Sequence, residues 1–196
     1  MKIKKIKKYR KGFSIIEMVA VTAIVAVIAL VVTSMLVSGL KTYRLKRQVV
    51  DEDERIALVI RKFEQTTRAA NKLETVSSNQ LVFYRYFDSN SSSPTRVRFF
   101  VDGNQLKIGL TQPEGTEPNV TYSSPEQIDL SISDITNPDQ LFEYYDSNNN
   151  LLTDNVELSS VKMIRLTISI DKNGSSPPGP STGTTKVMLR NMKINL

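Results

Sequence analysis

The sequence has no cysteine, no histidine and no tryptophan. Without histidine there is no imidazole base and no Ser-His dyad. Without cysteine there is no thiol nucleophile, and ordinary Zn, Cu and haem sites lose their usual ligands. Disulfides are excluded, so cysteine usage does not reveal the compartment. Proline is absent before Pro94, and all eight prolines lie between Pro94 and Pro180. The 196 residues allow one modest domain plus an extension.

The formal charge of +6 is unevenly placed. Residues 1–12 carry seven cations, Lys2, Lys4, Lys5, Lys7, Lys8, Arg10 and Lys11, and no acid. The remainder holds 19 basic and 20 acidic residues. The basic balance therefore belongs to a short N-terminal tag. A nucleic-acid surface would cluster cations on the fold with aromatics among them, and this distribution argues against one.

An apolar run follows, from Phe13 to Leu40, interrupted by one charge at Glu17. Met18 to Leu40 is 23 residues without a charge, and about 20 suffice to span a bilayer as a helix. Four cations follow closely, Lys41, Arg44, Lys46 and Arg47, soon offset by Asp51-Glu52-Asp53-Glu54. The flanking charge predicts a single-pass segment in the cytoplasmic membrane, N-terminus inside and the rest outside. Three processing fates fit: a secretory signal cut after Gly39, a permanent anchor, or a cut on the cytoplasmic side at Gly12.

Lys11-Gly12-Phe13-Ser14-Ile15-Ile16-Glu17 resembles the prepilin peptidase site of type IV pilins and pseudopilins. The resemblance implies cleavage after Gly12, guided by a basic leader that includes Lys8, Arg10 and Lys11, and N-methylation of Phe13. It makes Glu17 the acid at the fifth mature position, expected to pair with the freed amine of a neighbouring subunit and fix assembly register. A buried ion pair adds little net stability, but it can specify register. The bland alternative is an acid tolerated at the membrane interface, about 6 Å along the helix from Phe13. The chain departs from many major pilins in lacking a proline partway along the helix. It also departs from the tip-type K pseudopilin, which typically lacks the fifth-position acid.

Residues 41–72 contain no Gly or Pro and predict a helical continuation. Leu45, Val49, Ile56, Val59, Ile60 and Phe63 recur on one face, which predicts packing on the protein's own sheet. Arg47–Asp51 and Glu64–Arg68 are spaced for i,i+4 ion pairs.

Beyond residue 73 the pattern predicts a β-rich head on strands Gln80–Phe87, Thr95–Val101, Gln105–Leu110, Gln127–Ser133, Leu141–Tyr145, Val161–Asp171 and Lys186–Ile194. Ile164, Leu166, Ile168 and Ile170 alternate with polar neighbours, as do Ile128, Leu130 and Ile132, so each run predicts one buried face. Asp102-Gly103-Asn104 reads as a hairpin turn. Asp88–Pro94 and Asn173–Thr185 read as solvated loops, the second inside the last hairpin. The expected fold class is α+β: a basic leader at 1–12, a membrane or filament-core helix at 13–40, an amphipathic continuation at 41–72 and an antiparallel head at 73–196. This order, with Leu141–Asp146 and Lys186–Asn191, resembles the J-type minor pseudopilin of type II secretion and related type IV minor pilins.

Asp146, Asn148, Asn150 and Glu157 fall at positions 1, 3, 5 and 12 of a calcium loop, but the required Gly is Leu151 and the flanks read as strands. An Asn-rich hairpin turn is the better reading, and no metal or cofactor is called for. No phosphate-binding loop or nucleophile elbow occurs. An enzyme is not expected. The implied role is a structural subunit of a type IV pilus-like filament or a secretion pseudopilus. Its implied partners are the peptidase/methyltransferase, other pilin subunits, an assembly ATPase, an inner-membrane platform and, before assembly, membrane lipid. Secretion, pilus and DNA-uptake systems stay open. The rivals are a membrane-anchored β-domain that binds a ligand without polymerising, and a secreted enzyme with a conventional signal.

Overall fold

The computed structural model describes residues 12, 14–88, 91–115, 119–153, 156–172, 174 and 179–190. Two compact units divide between Lys46 and Arg47. Among the described residues one helix, α1, runs Ile15–Thr67, and nine strands follow it. The fold class is α+β, as expected.

Within the first unit the helix is apolar and exposed on every side. Ile24 is 60% exposed, Leu30 72% and Met35 69%. Four of its hydroxyl groups are satisfied locally. Thr22 donates to the Met18 and Val19 carbonyls, Thr33 to Ala29, Ser34 to Val31 and Thr42 to Ser38, all at 2.8–3.0 Å. An apolar solvent can therefore surround these four hydroxyls without stranding them.

In the second unit, Arg47–Thr67 packs on two antiparallel sheets. The first has the order β1-β2-β3-β4-β5: Lys72–Val76, Gln80–Arg85, Thr95–Asp102, Gln105–Thr111 and Gln127–Ile132. The second has the order β7-β6-β8-β9: Leu151–Leu152, Phe142–Tyr145, Met163–Ile170 and Ser181–Met188. Ile56, Val59 and Phe63 form the buried stripe of the helix. Phe63 stands edge-on to Phe99 of the first sheet, centroids 5.5 Å apart, and 6.1 Å from Phe142 of the second. Burying such a side chain is worth about 1.5–3 kcal/mol. The Tyr144 hydroxyl donates to the Ser77 carbonyl at 2.8 Å and so ties β6 to the β1–β2 turn; burial pushes its pKa well up.

The alternation in β8 is buried as expected, with Ile164, Leu166, Ile168 and Ile170 fully inside. Gly103 turns the β3–β4 hairpin at φ +62°. Several expectations need correction. The helical continuation stops at Thr67, not residue 72, because Lys72–Val76 pairs with β2 as a strand. The short strand β7 was also not foreseen. In β5 only Ile132 is buried, and Ile128 is 49% exposed, because this is a sheet edge. The last strand is Ser181–Met188, not 186–194; residues 191–194 lie outside the described residues. Ser181–Thr185, expected as loop, pairs along β8. Its small residues match a close helix approach: a Cβ on Gly183 would sit inside contact distance of Ile56 Cγ2 and 2.9 Å from Ile60 Cδ1. Neither predicted i,i+4 ion pair is present. Asp51 faces Arg55 at 3.9 Å and Lys172 at 3.4 Å, and Glu64 accepts from the Thr185 hydroxyl.

Candidate functional site

Ser14, Ile15, Ile16 and Glu17 open α1. The Met18 amide donates to the Ser14 carbonyl at 3.1 Å, the first helical bond. Ser14 thus holds the N-cap position and Glu17 the third helical position, the pattern of a capping box. That spacing was legible in the sequence and adds a local reason for both residue types. A carboxylate in the first turn also faces the positive end of the helix dipole. Gly12 and Glu17 are both exposed. A Cβ added to Gly12 would meet nothing within 4 Å, so packing inside the chain does not ask for glycine there. Phe13 and the leader residues Lys8, Arg10 and Lys11 lie outside the described residues.

In the second unit three of the calcium-loop positions, Asp146, Asn148 and Asn150, form a turn, and Glu157 lies beyond β7 and outside it. The Asp146 carboxylate accepts from the backbone amides of Asn148 and Asn150, both at 2.8 Å, and from the Asn150 side chain at 2.9 Å. Asn149 takes φ +66°. The Asn150 amide holds the Asp146 carboxyl below its ordinary range. The carboxylate is thereby occupied as the anchor of the β6–β7 turn.

One carboxylate was missed. Glu52 sits within the acidic run Asp51–Glu54, yet it is 1% exposed. Its Oε1 accepts from Gln48 Nε2 at 3.0 Å and from the Lys172 amide at 3.2 Å. Only its position on the stripe, four residues before Ile56, marks it in the sequence. A second cluster lies on the outer face of the first sheet. Arg96 makes a two-point bond to Glu74 at 2.7 and 2.8 Å, and the Tyr84 hydroxyl donates to Glu74 at 2.5 Å. The Arg96 bond lowers the Glu74 pKa. Burial, then the bond to Glu74, pushes Tyr84 up to about 12. These groups saturate one another and serve the sheet.

The family described as the prokaryotic N-terminal methylation motif matches residues 7–40. No curated protein matches the chain. The matched segment contains Gly12, Phe13, Glu17 and the exposed apolar part of α1. It supports a type IV pilin-like precursor whose N-terminus is processed and methylated. It implies a prepilin peptidase and other pilins as partners, and chains of this kind are in general structural. The motif and α1, which is long and apolar enough to cross a membrane, are consistent with anchoring in the inner membrane.

Proposed function

We propose that the chain is a minor pilin or pseudopilin: a subunit anchored in the inner membrane with its head outside, then withdrawn into a filament. In this reading the peptidase cuts between Gly12 and Phe13, and the new amine on Phe13 is methylated. Loss of the leader removes seven cations that would hold the segment at the cytoplasmic face. The observation that carries the reading is that Gly12, Phe13 and Glu17 fall inside the matched motif, and that the apolar part of α1 after Glu17 is exposed. Among the described residues the Ile15–Leu40 part of that helix is exposed, and helices of neighbouring subunits would cover it.

Glu17 supplies the register. Its carboxylate, exposed in the first turn, is available to the Phe13 amine of a neighbour. Glu17→Ala makes the segment more apolar, so the variant is expected to insert and to accumulate in membranes. It is expected to be depleted in filaments sheared from the cells, measured by immunoblot of sheared and membrane fractions. Wild-type recovery of Glu17→Ala in the sheared fraction would remove this role. A wild-type chain that stays wholly in the membrane of filament-producing cells would remove the filament reading. The J-type resemblance and the order of the head support the minor-component part of this reading.

A further inference from the structure

The C-terminal end of α1 lies beside a group of arginines. Arg68 follows the last helical residue and still donates its amide to the Glu64 carbonyl at 3.1 Å. Arg61 and Arg68 therefore return to nearly the same side of the helix, about 10 Å apart along the axis. Together with Arg190, two residues past β9, they line a cavity of about 380 Å³. Glu64, Gln65 and Ala69 complete the lining. All three arginines are exposed.

Cations near a helix C-terminus ordinarily serve its orphan carbonyls. Here those carbonyls have other donors. The Thr66 hydroxyl reaches the Lys62 and Phe63 carbonyls at 2.6 and 3.2 Å. Arg85 of β2 donates its Nη1 to the Gln65 carbonyl at 3.1 Å, and the Ala70 amide serves Thr67 at 3.0 Å. Glu64 stands three residues after Arg61 and four before Arg68, spacings that favour ion pairs, yet it accepts from the Thr185 hydroxyl. Among the described residues Arg61, Arg68 and Arg190 form no ion pair, and none lies over an aromatic ring. Packing, capping and pairing thus leave the three guanidinium groups unassigned.

We propose that this cavity binds a phosphate monoester through Arg61, Arg68 and Arg190. A guanidinium presents a planar fork that matches two phosphate oxygens at once. A phosphate monoester carries about −1.5 to −2 charges at pH 7 and three terminal oxygens. That answers the lining, where three cations face one acid and leave two positive charges unbalanced. A carboxylate brings one charge and two oxygens. A nucleic-acid strand brings diesters of one charge each and stacks its bases on aromatics, and no aromatic lines this cavity. The volume lies at the small end of ligand pockets and suits a single phosphorylated group. Two sources carry this chemistry, a lipid headgroup and a soluble sugar phosphate. The site lies wholly in the second unit and does not depend on cleavage at Gly12 or on a filament.

The test is calorimetric titration of the purified full-length chain, in neutral detergent at low ionic strength, with inorganic phosphate as the first probe. Saturable binding at one site is expected. Arg68→Gln is expected to weaken it about tenfold, and the triple variant Arg61→Gln, Arg68→Gln, Arg190→Gln to abolish it. Glu64→Gln removes the one acid of the lining and keeps an acceptor for Thr185. It is expected to tighten phosphate about threefold, a gain that misfolding does not produce. The absence of saturable binding, wild-type affinity in the triple variant, or unchanged or weaker binding in Glu64→Gln overturns the proposal. Dimethyl phosphate, a diester of one charge, is expected to bind about tenfold more weakly than phosphate. Equal affinity for the diester, or tighter binding of a single-stranded oligonucleotide without a terminal phosphate, overturns the monoester. Glycerol phosphate and glucose phosphate then separate the sources. Tighter binding of glycerol phosphate assigns a lipid headgroup, tighter binding of glucose phosphate assigns a soluble sugar phosphate, and equal binding assigns recognition to the phosphate alone.

Discussion

Three carboxylates on α1 have three different environments. Glu17 is exposed at the start of an apolar segment, Glu54 is exposed on the outward face, and Glu52 is 1% exposed beneath the β8–β9 connection. The run Asp51-Glu52-Asp53-Glu54 reads as a solvated face because local spacing carries no word of Lys172, 120 residues away. Glu52→Ala takes the acceptor from the Lys172 amide, a part-buried donor, and is expected to destabilise the folded head by about 1–3 kcal/mol in chemical denaturation. A change within experimental error would show that water replaces the carboxylate. Glu74 gives a pH dependence. Its folded pKa is depressed, chiefly by Arg96, so its contribution is present above the ordinary value of 4.5 and is lost as pH falls through the folded pKa. The pair is partly exposed, which limits the effect to about 1 kcal/mol or less. Glu74→Gln is expected to lower stability at pH 7 and to flatten the acid limb below about pH 4.5. An acid limb as steep as wild type would assign it to other carboxylates.

The elements were legible where one local pattern decided them. Strand β8 shows period-two alternation, and its four isoleucine and leucine side chains are buried. The Ile56, Val59, Phe63 stripe has helical spacing and packs on both sheets. Elements decided by distant partners were not legible. Lys72–Val76 follows the helix with no Gly or Pro between them, and only pairing with β2 makes it a strand. Ser181–Thr185 looks like a linker because it is small and polar, yet Gly183 is what lets the helix lie against β9. Gly183→Ala is expected to destabilise the head by about 1–3 kcal/mol through overpacking against Ile56 and Ile60. Ile56→Ala removes the first atom it would meet, so the double variant should cost less than the sum of the singles in thermal melts. Additive losses would mean that β9 shifts away from the helix.

At the scale of the whole molecule, the candidate site was legible because it is contiguous. A basic leader, a Gly-Phe junction, an acid four residues on and an uninterrupted apolar run occupy one stretch, and the matched motif over residues 7–40 covers the junction, the acid and the whole of that run. The head was legible in class but not in detail, because its core joins strands far apart in the chain. The two kinds of information divide the molecule. The N-terminal motif supports what is done to the chain, and the β-rich unit is a folded head whose place in an assembly is the proposal.

The central claim is that the mature subunit begins at Phe13. Mass and N-terminal sequence, measured on protein purified from the membranes of its own cells, test it directly. The expected result is a first residue of Phe13 carrying one methyl group, an increment of about 14 Da. A first residue of Met1, or one near Leu40, would contradict it.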